Sequence, residues 1–93
     1  MDKLAVITTY FNYSKSKLVR FAYDRFSESL RNQGIDLYTV ELAFKGDEFQ
    51  LPLGDKTFQL KSESILWHKE AMFNYALERL PEDITNVAWL DAD

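Results

Sequence analysis

Asp91 and Asp93 stand one residue apart in "WLDAD", directly after the apolar run Val87 to Leu90. Two carboxylates so spaced at a strand exit supply hard oxygen ligands for Mg²⁺ or Mn²⁺, and such an ion neutralises a substrate diphosphate. The competing reading is a solvated loop, since D-x-D arises often by chance. Placement at the end of a buried-type strand raises the metal grip to equal standing with the loop.

Lys69 is the second signal. On a helix it falls near the centre of a stripe made by Leu66, Phe73, Leu77 and Leu80, where a charge costs stability. Either its stem lies along apolar surface while the ammonium reaches water, or it meets a ligand phosphate or a carboxylate. Glu41, near the end of an apolar strand, is either an ordinary edge residue or an acceptor for a base or ribose. Thr8, Thr9, Tyr10 and Asn12 follow the first apolar run and belong to the same strand-end set. His68 and Trp67 fall off the apolar stripe and read as surface or contact residues. Three glycines, none in a G-x-G-x-x-G or Walker arrangement, exclude the usual phosphate loops. A single histidine leaves no Ser-His-Asp set to argue.

These residues need a frame to hold them. The run Leu4 to Ile7 predicts a strand over about 3–9, covered on both faces. Leu18, Ala22, Phe26 and Leu30, joined by Val19 and Phe21, predict a helix with that face inward, Ser14 or Ser16 as N-cap and Gly34 at the C-terminal cap. "IDLYTVELAF" predicts a strand over about 36–43, completing a parallel βαβ unit. The stretch 45–63 reads as a short hairpin or extended loop, with the turn at Leu53 to Lys56. A second helix spans about 64–80 and stops at Pro81, and a third core strand runs from Asn86 to Asp91, apolar on both sides. The expected fold is three-layer α/β, Rossmann-like, with a mostly parallel sheet in which the 3–9 strand lies between the 36–43 and 86–91 strands.

Composition narrows the partners. The chain has 93 residues, 46% of them hydrophobic and 15% aromatic, a globular rather than a disordered composition. A net charge of −4 provides no field to attract a nucleic-acid backbone. The absence of cysteine excludes disulfides, thiolate catalysis and Cys-ligated zinc. No apolar run approaches the ~20 residues of a membrane span. A cytoplasmic location fits best.

Taken in order, "AVITTYFNYS", an acid at the end of the second strand, "LWHKEAMFNYALERLP" and "VAWLDAD" resemble the N-terminal half of a family 2 type nucleotide-sugar glycosyltransferase of the GT-A fold. The resemblance covers almost the whole chain. It implies that Thr9, Tyr10, Asn12 and Glu41 hold the nucleoside, that Lys69 meets the phosphates, and that Asp91 with Asp93 bind Mn²⁺ or Mg²⁺ and the sugar diphosphate. Two departures stand out: "VELAF" replaces the usual Asp-rich turn, and the acceptor-binding half with its catalytic base is missing. The chain therefore reads as a single truncated donor-binding domain, 1–93, inactive alone, with a homo-oligomer or the missing half covering its open flank. The alternative is a non-catalytic nucleotide-binding or self-associating module of the same fold. A haloacid-dehalogenase-like phosphotransferase is a remote third reading, because no Gly-Thr follows the Asp pair.

Overall fold

The structure, a computed structural model, describes residues 3–12, 16–52, 54–62 and 69–90. Its elements are β1 (Leu4–Phe11), α1 (Lys17–Asn32), β2 (Asp36–Phe44), β3 (Thr57–Ser62), α2 (Lys69–Leu77) and β4 (Asn86–Trp89). The four strands form one all-parallel sheet in the order β3-β2-β1-β4.

Alternation along the strands divides the side chains between two faces. Ala5, Ile7, Tyr38, Val40 and Leu42 pack against Met72 and Ala76 of α2. Val6 and Leu37 pack with Leu30 of α1 on the opposite face, with Phe26 and Ala88 alongside. The result is helix, sheet, helix, as expected for strands apolar on both sides.

Four expectations need correction. The strand order is extended: Thr57–Ser62 forms a parallel edge strand beyond β2 instead of one arm of a hairpin. A parallel return needs a long connection, and residues 45–56 supply it without a helix. That connection opens on a turn in which Asp47 donates its N–H to the Phe44 carbonyl and Gly46 takes φ +100°, a left-handed conformation that suits glycine. It closes on a turn where the Thr57 N–H reaches the Gly54 carbonyl, one residue on from the tetrad expected at 53–56.

The inward face of α1 is also different. Tyr23, Ser27 and Leu30 are buried, whereas Leu18 is 79% exposed, Phe21 57% and Val19 41%. The helix has turned to offer its polar-capable residues to a stretch of sheet bearing Thr8, Tyr10, Thr39 and Glu41. Its caps follow the sequence closely: Ser16 accepts from the Val19 N–H, and Gly34 takes φ +74° just past the helix.

Third, helical structure is described from Lys69 to Leu77, with its seam on Met72 and Ala76 and with Leu77 38% exposed. Trp67 and His68 lie outside the described residues. Fourth, β4 is four residues long and mostly exposed, an edge strand rather than a second β1.

Candidate functional site

Parallel sheets present their ligand-facing loops at the carboxyl ends of the strands. Here β1 ends at Phe11 beside Leu42 of β2. On its other side Ile7 pairs with Trp89, and the Leu90 N–H donates to the Ile7 carbonyl at 3.1 Å. The chain therefore leaves β4 alongside Thr8 and Thr9. Asp91 and Asp93 themselves lie outside the described residues. So does the side chain of Lys69, the first residue of α2.

Three of the expected residues meet in one network on the α1 face. Tyr10 is 3% exposed and donates its hydroxyl to Gln50 Oε1 at 2.7 Å. Asn12 is 8% exposed; its amide donates to Gln50 Oε1, to the Tyr10 hydroxyl and to the Ser16 carbonyl, while its oxygen accepts the Ser16 N–H. Asn12 thereby fixes the residue that caps α1. Glu41, 2% exposed, accepts the backbone N–H groups of Gln50 at 2.6 Å and Leu51 at 3.1 Å, with the Gln59 amide at 3.4 Å. A buried carboxylate needs such donors, and main-chain N–H groups satisfy it without a paired cation. In this arrangement Glu41 is the anchor of the 45–56 connection.

Gln50 is the residue that sequence reasoning missed. Its N–H goes to Glu41, its carbonyl accepts from Arg20, its side-chain oxygen accepts from Tyr10 and Asn12, and its side-chain amide reaches the Asn12 carbonyl. One loop residue thus ties β1, β2 and α1 together. Its signal was a lone amide between Phe49 and Leu51, too slight to separate from an ordinary loop residue. Arg20, which also pairs with Asp24, was overlooked for the same reason.

Thr9 is not part of this network. The pleat turns it to the α2 face, away from Tyr10 and Glu41. Thr8, on the α1 face, is fully buried and its hydroxyl has no partner. Its neighbour across the β1–β2 ladder, Thr39, is satisfied by the Tyr23 hydroxyl at 2.6 Å.

Burial raises the pKa of both Tyr10 and Tyr23, against the opposing pull of the Asn12 and Thr39 hydrogen bonds respectively. Both hydroxyls stay protonated and act as hydrogen-bonding groups at neutral pH. The space among Asn12, Glu41, Asp47 and Gln50 amounts to about 10 Å³, room for one water molecule. The network therefore shapes the rim of the carboxyl edge and leaves any larger ligand to bind outside it.

Among the described residues no three His, Asp or Glu side chains gather as a metal site. Comparison with family models, with curated proteins and with solved structures finds no match for this chain.

Proposed function

We infer that the chain is the donor-binding portion of a metal-dependent glycosyltransferase, acting on a nucleoside-diphosphate sugar and inactive without an acceptor-binding part. The observation that carries this reading is the end of β4 at the carboxyl edge of the sheet, where the Leu90 N–H donates to the Ile7 carbonyl, one residue before the D-x-D sequence begins in the chain. That edge is where parallel α/β sheets bind ligands. Asp91 and Asp93 would hold Mn²⁺ or Mg²⁺, and the ion would offset the diphosphate charge that an acidic protein otherwise repels.

In this reading Tyr10, Asn12 and Glu41 serve the nucleoside through the loop that they hold in place. Thr9 and Lys69 are the remaining contacts proposed for the donor. Titration calorimetry with a nucleoside diphosphate and Mn²⁺ tests the proposal. Binding is expected with the metal, and its loss with chelator, with Asp91→Ala and with Asp93→Ala. Equal affinity with and without chelator would refute it.

A non-catalytic, self-associating module is the second reading. It is favoured by the uncharged, unpaired flank of β4 and by the apolar side chains around it.

A further inference from the structure

β4 is a terminal strand of the sheet, and its four side chains, Asn86, Val87, Ala88 and Trp89, carry no charge. The strand is straightforward to orient. Asn86 and Leu90 donate their N–H groups to the Lys3 and Ile7 carbonyls of the β1 side. Alternation gives Ala88 the same inward direction. Val87 and Trp89 therefore turn their N–H and C=O groups away from the sheet. Among the described residues of β4 there is no Lys, Pro or bulge, the usual protections of an exposed strand. The opposite edge, β3, by contrast carries Lys61, whose ammonium lies 4.5 Å from the Phe49 ring centroid.

We propose that β4 pairs antiparallel with β4 of a second copy, about a two-fold axis through Ala88 and perpendicular to the sheet. Three features of the edge suit that register, and the last two, the Val87 cover on Trp89 and the Ala88 pair, belong to it and not to registers two residues away. The outward backbone groups of Val87 meet those of Trp89 in the copy, and the reverse, giving two hydrogen-bonded residue pairs. The side chains of those pairs share the α2 face, so that Val87, 37% exposed, covers Trp89 of the copy, also 37% exposed. That indole already stacks on Phe73 with centroids 5.2 Å apart, so it meets the copy as a fixed platform. Ala88 faces Ala88 of the copy as the non-hydrogen-bonded central pair, whose small side chains allow close approach.

A shift by one residue would set the outward-facing backbone of one strand against the inward-facing backbone of the other and place paired side chains on opposite faces. Charge does not oppose a like partner at this edge. Two chains of net charge −4 repel in general, but the pairing register brings only neutral side chains together. Leu4, 46% exposed, and Leu90, 43% exposed, flank the same edge and extend the apolar border. The proposal depends on β4 alone and not on nucleotide binding, so the two can fail separately.

Two variants test it on the full chain. Val87→Pro removes an outward N–H while leaving the inward bonds of Asn86, Ala88 and Leu90 to β1. By symmetry it deletes two hydrogen bonds per dimer, and sedimentation should show association weakened by about tenfold or more with an unchanged circular dichroism spectrum. Ala88→Cys introduces the sole thiol of the molecule at a position whose Cα lies about 4.5 Å from its symmetry mate, within disulfide range. It should form a covalent dimer under mild oxidation, at least about tenfold faster than Glu28→Cys on the outer surface of α1, the advantage expected of a paired over an encounter-limited thiol. A wild-type chain that stays monomeric at high micromolar concentration, or an Ala88→Cys chain that crosslinks no faster than the Glu28→Cys control, overturns the proposal. Should Val87→Pro perturb the fold, the cysteine comparison decides alone.

Discussion

At the scale of single residues, Glu41 shows how a buried acidic side chain can be a framework element. Its two oxygens replace water for the Gln50 and Leu51 N–H groups, which would otherwise be partnerless under the loop. Glu41→Ala removes the acceptor and should cost about 3 kcal/mol in urea unfolding, whereas Glu41→Gln, which keeps one carbonyl oxygen, should cost about half as much. An Ala variant as stable as wild type would mean that the loop does not depend on this carboxylate. Tyr23 offers a pH test. Burial lifts its pKa above the ordinary 10.0, so as pH rises the unfolded chain releases the phenolic proton first. Its contribution to stability is complete below that ordinary value and is lost as pH climbs through the higher folded value. Tyr23→Phe should therefore be less stable than wild type near neutrality, by about 1 kcal/mol for the lost Thr39 hydrogen bond, yet lose less stability on going from pH 9 to 11. Parallel alkaline profiles for the two proteins would contradict the assignment.

Elements were legible in the sequence to different degrees, and α1 shows why. Its position and both caps could be read from Ser16, the apolar repeat and Gly34, because caps are local chemistry. Its inward face could not, because the periodicity counted Leu18, Ala22 and Phe21 as core and passed over Tyr23 and Ser27. The face is decided by what the sheet offers. Thr39 and Tyr10 provide a hydroxyl partner and an aromatic edge, with the Tyr10 and Tyr23 rings 5.0 Å apart at 68°. β3 was obscured for a related reason: parallel pairing with β2 depends on a return path that no local pattern encodes. The strand-end residues were found as a group, yet the hub that unites Tyr10, Asn12 and Glu41 was missed because Gln50 acts mainly through its backbone and a single amide. Unfolding of α1 variants checks the face. Leu30→Ala should cost about 2–4 kcal/mol as a core truncation, while Phe21→Gln on the exposed side should stay within about 0.5 kcal/mol of wild type. A cost for Phe21→Gln as large as that for Leu30→Ala would restore the face expected from periodicity, which held both residues.

At the scale of the whole molecule, stability is graded across the sheet. β1 is paired on both sides and covered on both faces, with Ala5, Ile7 and Thr8 at 0% exposure, and β2 is similarly enclosed. β4 has a single neighbour, and only Ala88 of its residues is more than marginally covered. Opening β4 breaks its bonds to β1 without exposing Val40 and Ala76, the part of the core that lies away from β4, so it requires less than global unfolding. Amide hydrogen exchange at low protein concentration should accordingly be slowest at Thr8 and Val40, in the β1–β2 ladder, and faster at Ile7, whose main chain faces β4. Within β4 it should alternate: Asn86, Ala88 and Leu90, bonded inward, exchange more slowly than Val87 and Trp89, whose N–H groups face outward. Raising the concentration should slow Val87 and Trp89 selectively if a second strand docks there, since that contact supplies acceptors to N–H groups that face away from β1. Uniform protection along β4 at every concentration would mean that the edge is held by some contact other than its ladder to β1, and would remove the structural basis for strand pairing at this flank.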